Sequence, residues 1–325
     1  MDIHPIITAI EKKAGVPDLT TLLAERLSGS ELNSLLMEVY KKKVAHTTPE
    51  ILLQQYQANR FVQPAETDMI GLLRLELKTL EFLRDHSFQP IELSPAAQLG
   101  SCSIVGTVSQ DKIISATRHT EIMADATNSL ALYIAAMKKS ASAAGVKGAE
   151  APAAKDGIWR LSTTHRHLRT QELKVKGFTP HFKIGCLVTS GRDSGNYEFE
   201  STQLPEHIRT LDSLLREVFG IQRLRIKLQR REGYADPDRL LQTVADQLKK
   251  KHPALGMTIE DSAPGNNYYK GIQFKVIIEA NNHEFEIADG GFVDWTQKLL
   301  GNPKERLLIS GFGLGLLYKC QTGLT

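Results

Sequence analysis

Three glycine-bearing stretches decide how the chain is read: Gly265-Asn-Asn-Tyr-Tyr-Lys-Gly-Ile-Gln-Phe274, Asp289-Gly290-Gly291-Phe292-Val293-Asp294 and Ser310-Gly-Phe-Gly-Leu-Gly-Leu316. Paired glycines let a backbone come closer to a neighbour or a ligand than a Cβ would permit. The runs beside them have strand character. Residues 272–280 and 284–288 read as a hairpin around Asn281-Asn282, and 307–309 as a short strand.

Working outward, 159–163, 183–189 and 224–228 are strand-like, and 104–108 with 112–117 read as a strand pair turned at Gln110-Asp111. Helical periodicity covers 121–137 and 205–219, the latter ended by Gly220, and Asp236-Pro237-Asp238 opens a helix that runs to about Lys251. The stretch 138–156 is rich in Ala, Gly, Ser and Lys and reads as a mobile surface loop. Glu198 and Glu200, after Arg192 and Asp193, read as alternating carboxylates at a strand end. Arg223, Arg225 and Lys227, with Gln229-Arg230-Arg231, read as a solvated edge strand. The first ninety residues are helical. Leucine stripes on either side of Ser28-Gly-Ser30 place a start at Ser30-Glu31. Thr48-Pro49 marks another start, and the apolar run 68–84 predicts a well-buried helix. The sum is an α+β fold, an antiparallel sheet flanked by helices.

Composition narrows the function. Over 325 residues, 41% hydrophobic and 24% charged residues describe a globular chain rather than a disordered one. Forty Lys and Arg against 37 Asp and Glu leave a formal charge of +3, too balanced for a nucleic-acid coat or a polybasic membrane protein. No apolar run approaches a membrane span, and MDIHPIITAIEKKAG lacks the pattern of a secretion signal. Cys102, Cys186 and Cys320 show no paired spacing, so a cytoplasmic protein without disulfides or structural zinc is expected. His165 and His167 have the spacing to ligate a metal from a strand, but no third ligand accompanies them, and no metal is assigned.

In order and spacing, the three glycine stretches resemble the C-terminal half of the catalytic domain of histidyl-tRNA synthetase, a class II aminoacyl-tRNA synthetase, with its RGLDYYTG, GGGRYD and GFxxGxER patterns. His181–Gly191 lies without gaps on that family's EFHQFGVEVIG strand. The stretch 167–171 falls on the FRYE of motif 2, and Thr117-Arg118-His119-Thr120-Glu121 near the LRPExT loop. The likeness spans 93–319. It implies a synthetase-like core over 93–325, a helical N-terminal extension over 1–92 and no anticodon-binding domain.

The resemblance also implies a ligand pocket. Arg118 and Glu121 would hold a carboxylate and an amine, and His165, His167, Arg169 and Gln171 a phosphate-binding strand end. Arg192 or Lys319 would be a substitute cation, Gly290 and Gly291 would admit a close approach, and, by alternation along a strand, one of Tyr268 and Tyr269 would face the pocket while the other faced the core. No residue is assigned a catalytic role. Departures from the pattern are telling: the activating arginine of RGLDYYTG is Pro264 and its aspartate Asn267, the two imidazole-reading residues are Ile184 and Val188, and the motif 3 arginine that grips the triphosphate is Tyr318.

These losses point to a paralogue that does not charge tRNA, a small-ligand-binding or regulatory subunit. The regulatory subunit of ATP phosphoribosyltransferase is an example of that kind. The alternative is an adenylate-forming ligase or transferase that activates a carboxylate other than histidine, with ATP and Mg²⁺. A third reading is a structural dimer module without a ligand. The partners implied are a second copy joined through 88–99, an amino-acid-like or nucleotide small molecule, and a partner enzyme. Nucleic acid is not expected as a partner, nor a membrane.

Overall fold

Alternating apolar residues on six segments build the middle of one large sheet, in the order Ile158–Leu168, His181–Arg192, Glu305–Phe312, His283–Val293, Lys270–Ala280 and Leu224–Arg230, all antiparallel. The computed structural model describes residues 4–143, 154–155, 157–171, 179–260, 268–280 and 283–323. Pro264, Asn267, the Asn281-Asn282 turn and most of the expected loop after Ala143 lie outside them. All six strands stand where the sequence puts them. Three short ones complete the sheet. Gln89–Pro90 and Met257–Glu260 pair in parallel at its two ends, and Ala154–Lys155 pairs with Ile158–Leu168, so the sheet is mixed rather than purely antiparallel.

Met257–Glu260 covers Leu224–Arg230, which is therefore not an edge strand. Its basic residues are paired with carboxylates: Arg223 with Glu279, Arg225 with Glu284, and Lys227 with Glu260.

Two helices cover one face. Glu198–Glu217 buries Leu204, Ile208, Leu211 and Leu215 at three- and four-residue steps, and Pro237–Lys251 buries Leu240, Leu241, Val244 and Leu248. Each leucine so buried contributes roughly 1.5–3 kcal/mol. The first of these helices starts seven residues before Pro205, so Glu198 and Glu200 lie in a helical first turn, not on a strand. Glu200 is buried and accepts from Arg306 Nε and Tyr234 Oη, both at 2.8 Å. On the opposite face, Ala126–Ala143 packs Leu130, Ala131 and Ile134 against Trp159, Val188 and Ile309. This helix runs through Lys138, whose ammonium meets Glu305, so the segment 138–143 is not loop.

Met69–Asp85 belongs to the core. Leu72, Leu75 and Leu83 are buried with Phe88, Leu187 and Leu317, so the body of the fold begins well before residue 93. The helix is only half-buried, with Ile70, Leu73 and Leu77 exposed. Ahead of it, His4–Ala14, Gly29–Ala45 and Pro49–Ala58 contain no buried residue. Ser28, not Ser30, caps the second of these, in a reciprocal capping box with Glu31. No helix among the described residues is long and apolar enough to cross a membrane.

The expected strand pair at 104–117 does not form. Ser101–Val105 is a wide helical turn, and Ser115–Ala116 joins Thr120–Ile122 and Ala96–Gln98 in a small second sheet. The cause is Glu121. Its carboxylate is fully buried and accepts from Gly100 N–H (2.9 Å), Cys102 N–H (3.0 Å) and Gln110 Nε2 (3.0 Å), which bends the chain around it. A buried carboxylate requires such donors, and local strand propensity does not outweigh them.

Candidate functional site

Beyond the N-terminus of Ala126–Ala143, the sheet face is left open as a cleft of about 600 Å³. Its floor is Ile184 and Cys186 on one strand, Ile309 and Gly311 on the next, and Asp289 and Gln273 on the two beyond.

Two tyrosine–aspartate pairs stand in the cleft. Tyr268 Oη–H donates to Asp125 Oδ2 at 2.9 Å, and Tyr269 Oη–H to Asp289 Oδ2 at 2.8 Å, with the rings packed edge to face at 4.8 Å. Both tyrosines line the cleft, and Tyr269 is at the same time part of the core with Val293, Leu307 and Ile309. Burial holds both phenols protonated, well above their usual range, and also lifts the Asp289 carboxyl. Asp125 Oδ1 takes the N–H and hydroxyl of Thr127, which anchors it at the start of the helix.

The other side of the cleft is basic. Arg169 donates through Nε to Ala124 O at 3.0 Å and lies 5.6 Å from the centre of the Phe182 ring. Its two terminal nitrogens have no partner among the described residues. Lys112 and Gln171 stand at the same rim, and Lys183 is paired with Glu76 at 2.6 Å. Between the two sides lies His167, 1% exposed. Its Nε2 accepts from Ala126 N–H (3.1 Å), so Nδ1 carries the proton, and it has no partner among the described residues. Burial pushes this imidazole down to about 3, so it is a neutral donor at ordinary pH.

Of the residues singled out in the sequence, His167, Arg169, Gln171, Tyr268 and Tyr269 are brought together here. The others are not. Glu121 serves the turn at 100–102. Arg118 is exposed, with a left-handed backbone and its N–H on Asn33 Oδ1. His165 lies half-buried on the strand with Nδ1 at its neighbour's carbonyl. Arg192 pairs with Glu305 at the far end of its strand. Gly290 and Gly291 serve packing. A Cβ at Gly290 would stand 2.5 Å from Ile309 O, and one at Gly291 2.5 Å from Ile272 O and 2.8 Å from the Tyr269 ring. Gly291→Ala is therefore expected to destabilise the protein by about 1–3 kcal/mol, read as a lowered denaturant midpoint. An unchanged midpoint would show that the sheet yields freely there.

Asp125, Thr127, Gln273 and Asp289 were missed. A signal for the first two was present. Ala124-Asp125-Ala126-Thr127, directly ahead of a helix, fits the Pro-Glu-x-Thr of the LRPExT loop better than 117–121 does. Asp289 stands immediately before the Gly-Gly pair.

The residues present do not fit a gripped triphosphate. Tyr318, at the place of the motif 3 arginine, is buried away from the cleft and donates to Asp68 Oδ2 at 3.2 Å. Among the described residues no group of three His, Cys, Asp or Glu is placed to hold a metal ion.

This architecture is similar to that of known structures. Histidyl-tRNA synthetase from S. aureus matches with a TM-score of 0.58 at 13% identity, over 82% of this chain and 70% of that one. An ATP phosphoribosyltransferase regulatory subunit/histidyl-tRNA synthetase from Bacillus halodurans matches with 0.59 at 10%, over 80% and 82%. The RNA-binding domain of threonyl-tRNA synthetase from Cryptosporidium parvum matches with 0.58 at 11%, over 82% and 69%. The chain thus has the fold of the class II aminoacyl-tRNA synthetase catalytic core. At these identities the likeness is one of fold alone, and histidyl and threonyl enzymes share it equally. No protein-family model matches the chain, and no curated protein does.

Proposed function

We propose that the chain is a protein of synthetase fold that does not charge tRNA. It holds a small amino-acid-like zwitterion and acts as a regulatory subunit for a partner enzyme. The observation that carries this reading is the pairing within one cleft of tyrosine-held carboxylates, Asp125 and Asp289, with the half-free guanidinium of Arg169. Carboxylates fixed by phenols are preorganised acceptors for an ammonium group, and a planar guanidinium suits a carboxylate or phosphate. The Bacillus halodurans neighbour lends support, since a chain of this fold is described there as a regulatory subunit. The adenylate-forming alternative draws no support from Tyr318, which offers no charge to a triphosphate.

Calorimetric titration with the free amino acids tests the proposal. At least one is expected to bind, and Arg169→Ala to weaken it about 10- to 100-fold, the equivalent of one charge-assisted contact. Failure of every amino acid to bind would defeat the reading. An unchanged affinity in the variant would remove Arg169 from it.

The homodimer implied by the resemblance belongs to the same proposal. Its seam would run along 88–99, where Leu99 is exposed beside Ile104. Light scattering at micromolar concentration is expected to give twice the chain mass, and a monomer would count against it.

A further inference from the structure

Gln273 lies on Lys270–Ala280 at the acidic end of the cleft. Behind it, Arg231 is 5% exposed. Its guanidinium donates to Gln273 Oε1 through Nε at 3.1 Å and through a terminal nitrogen at 2.6 Å. That terminal nitrogen also donates to Gln229 Oε1 at 3.0 Å. A guanidinium has donors only, so the amide beside it cannot be turned round: its oxygen must face Arg231. The NH₂ of Gln273 is therefore left to the cleft, and no acceptor among the described residues takes it.

Opposite Gln273 in the sheet is Gly291, whose missing Cβ leaves room for the Tyr269 ring beside the amide. Two residues before Gly291 on the same strand, and so on the same face, is Asp289. Tyr269 occupies its Oδ2, and Oδ1 has no donor among the described residues. A fixed donor and a fixed acceptor thus stand at diagonal positions on adjacent strands, Cα atoms about 7–8 Å apart.

Resting on the zwitterion reading above, we propose that the Gln273–Asp289 pair selects a ligand whose side chain ends in a primary carboxamide. The carboxamide oxygen accepts from Gln273 Nε2, and its NH₂ donates to Asp289. Asp125 and Arg169 are left for the ammonium and the acid group. A side-chain carboxylate in the same place would set like charge against Asp289 and leave it without a donor. An aliphatic side chain would bury both groups unsatisfied. An imidazole beside Asp289 would be drawn to its protonated form, with two N–H groups, and would turn a donor against the NH₂ of Gln273. Sites that hydrogen-bond their substrate reject analogues lacking the matching groups most strongly.

The test compares L-glutamine and L-asparagine with L-glutamate, L-aspartate and L-histidine by calorimetry on the full chain. One of the amides is expected to bind at least about tenfold more tightly than its acid counterpart and than histidine. Gln273→Glu, whose carboxylate pairs with Arg231 and offers no donor to the cleft, is expected to abolish that preference, and Gln273→Met to do the same without added charge. Circular dichroism verifies that each variant is folded. Binding of amino acids with no amide preference, or a preference untouched in both folded variants, overturns the assignment while the zwitterion reading stands. If no free amino acid binds, both fall.

Discussion

Acidification from pH 6.5 to pH 5 is expected to remove about 3 kcal/mol of folding stability. Two deeply buried imidazoles carry most of it, beside smaller downward shifts from burial at His165 and His252. His167 lies beneath the cleft and His207 in the helix Glu198–Glu217, where its ring is fully buried between Thr189 Oγ1 (2.7 Å) and Ser310 Oγ (2.9 Å). Burial pushes both down to about 3. The unfolded chain has imidazoles at about 6.5, so below that value it binds two more protons than the folded one. Stability is fully present above the unfolded value and falls with pH at about 1.4 kcal/mol per unit for each histidine, until the folded value is reached. Over this window the carboxylates remain mostly ionised, which separates the effect from general acid denaturation. Denaturant titrations at pH 6.5, 5.75 and 5 measure it, and His167→Phe should halve the slope. A flat profile would mean that water or a rearranged neighbour solvates these rings.

Incubation with ATP, histidine and tRNA is expected to yield no histidyl-tRNA, at a rate at least about a thousandfold below that of an authentic enzyme. Two lost charge-assisted contacts of ~2 kcal/mol each suffice for this at ~1.4 kcal/mol per tenfold. Tyr318→Arg alone is not expected to restore the reaction. The residue stands within reach of Asp68, and an arginine there would pair with that carboxylate. Ile184 in the cleft floor gives a histidine ring no partner. Detectable charging by the parent protein would refute the proposed function directly.

The sheet was legible because its alternation is local: six strands could be placed from apolar spacing alone. Errors arose wherever a distant group set the backbone. Ile104-Val105-Gly106-Thr107-Val108 has every local mark of a strand, yet Glu121, sixteen residues beyond Val105, gathers the N–H groups of 100 and 102 and turns the chain. Proline at a helix start is a sound signal, and it misplaced the start of Glu198–Glu217 because Pro205 sits inside that helix. In the cleft, Arg169 and the tyrosine pair were found through an ordered motif. Asp125 was missed because the helical periodicity was read from residue 121, which put it inside the helix, whereas the helix starts at Ala126 and Asp125 accepts the Thr127 N–H at its entrance. Gln273 carries no sequence signal at all, since only the fold brings Arg231 against it.

The pairing of His181–Arg192 with Glu305–Phe312 bears on how the molecule reaches its native state. Arg192 is opposite Glu305, 113 residues later. Closing so long a loop is entropically unfavourable until the helices between have formed, so folding should be slow, in the regime of high contact order. During synthesis, the hairpin of Ile158–Leu168 and His181–Arg192 waits with one edge unpaired until the last strand leaves the ribosome. The cleft floor is thus finished last, and no site built on it can be complete before the strand Glu305–Phe312 has been made.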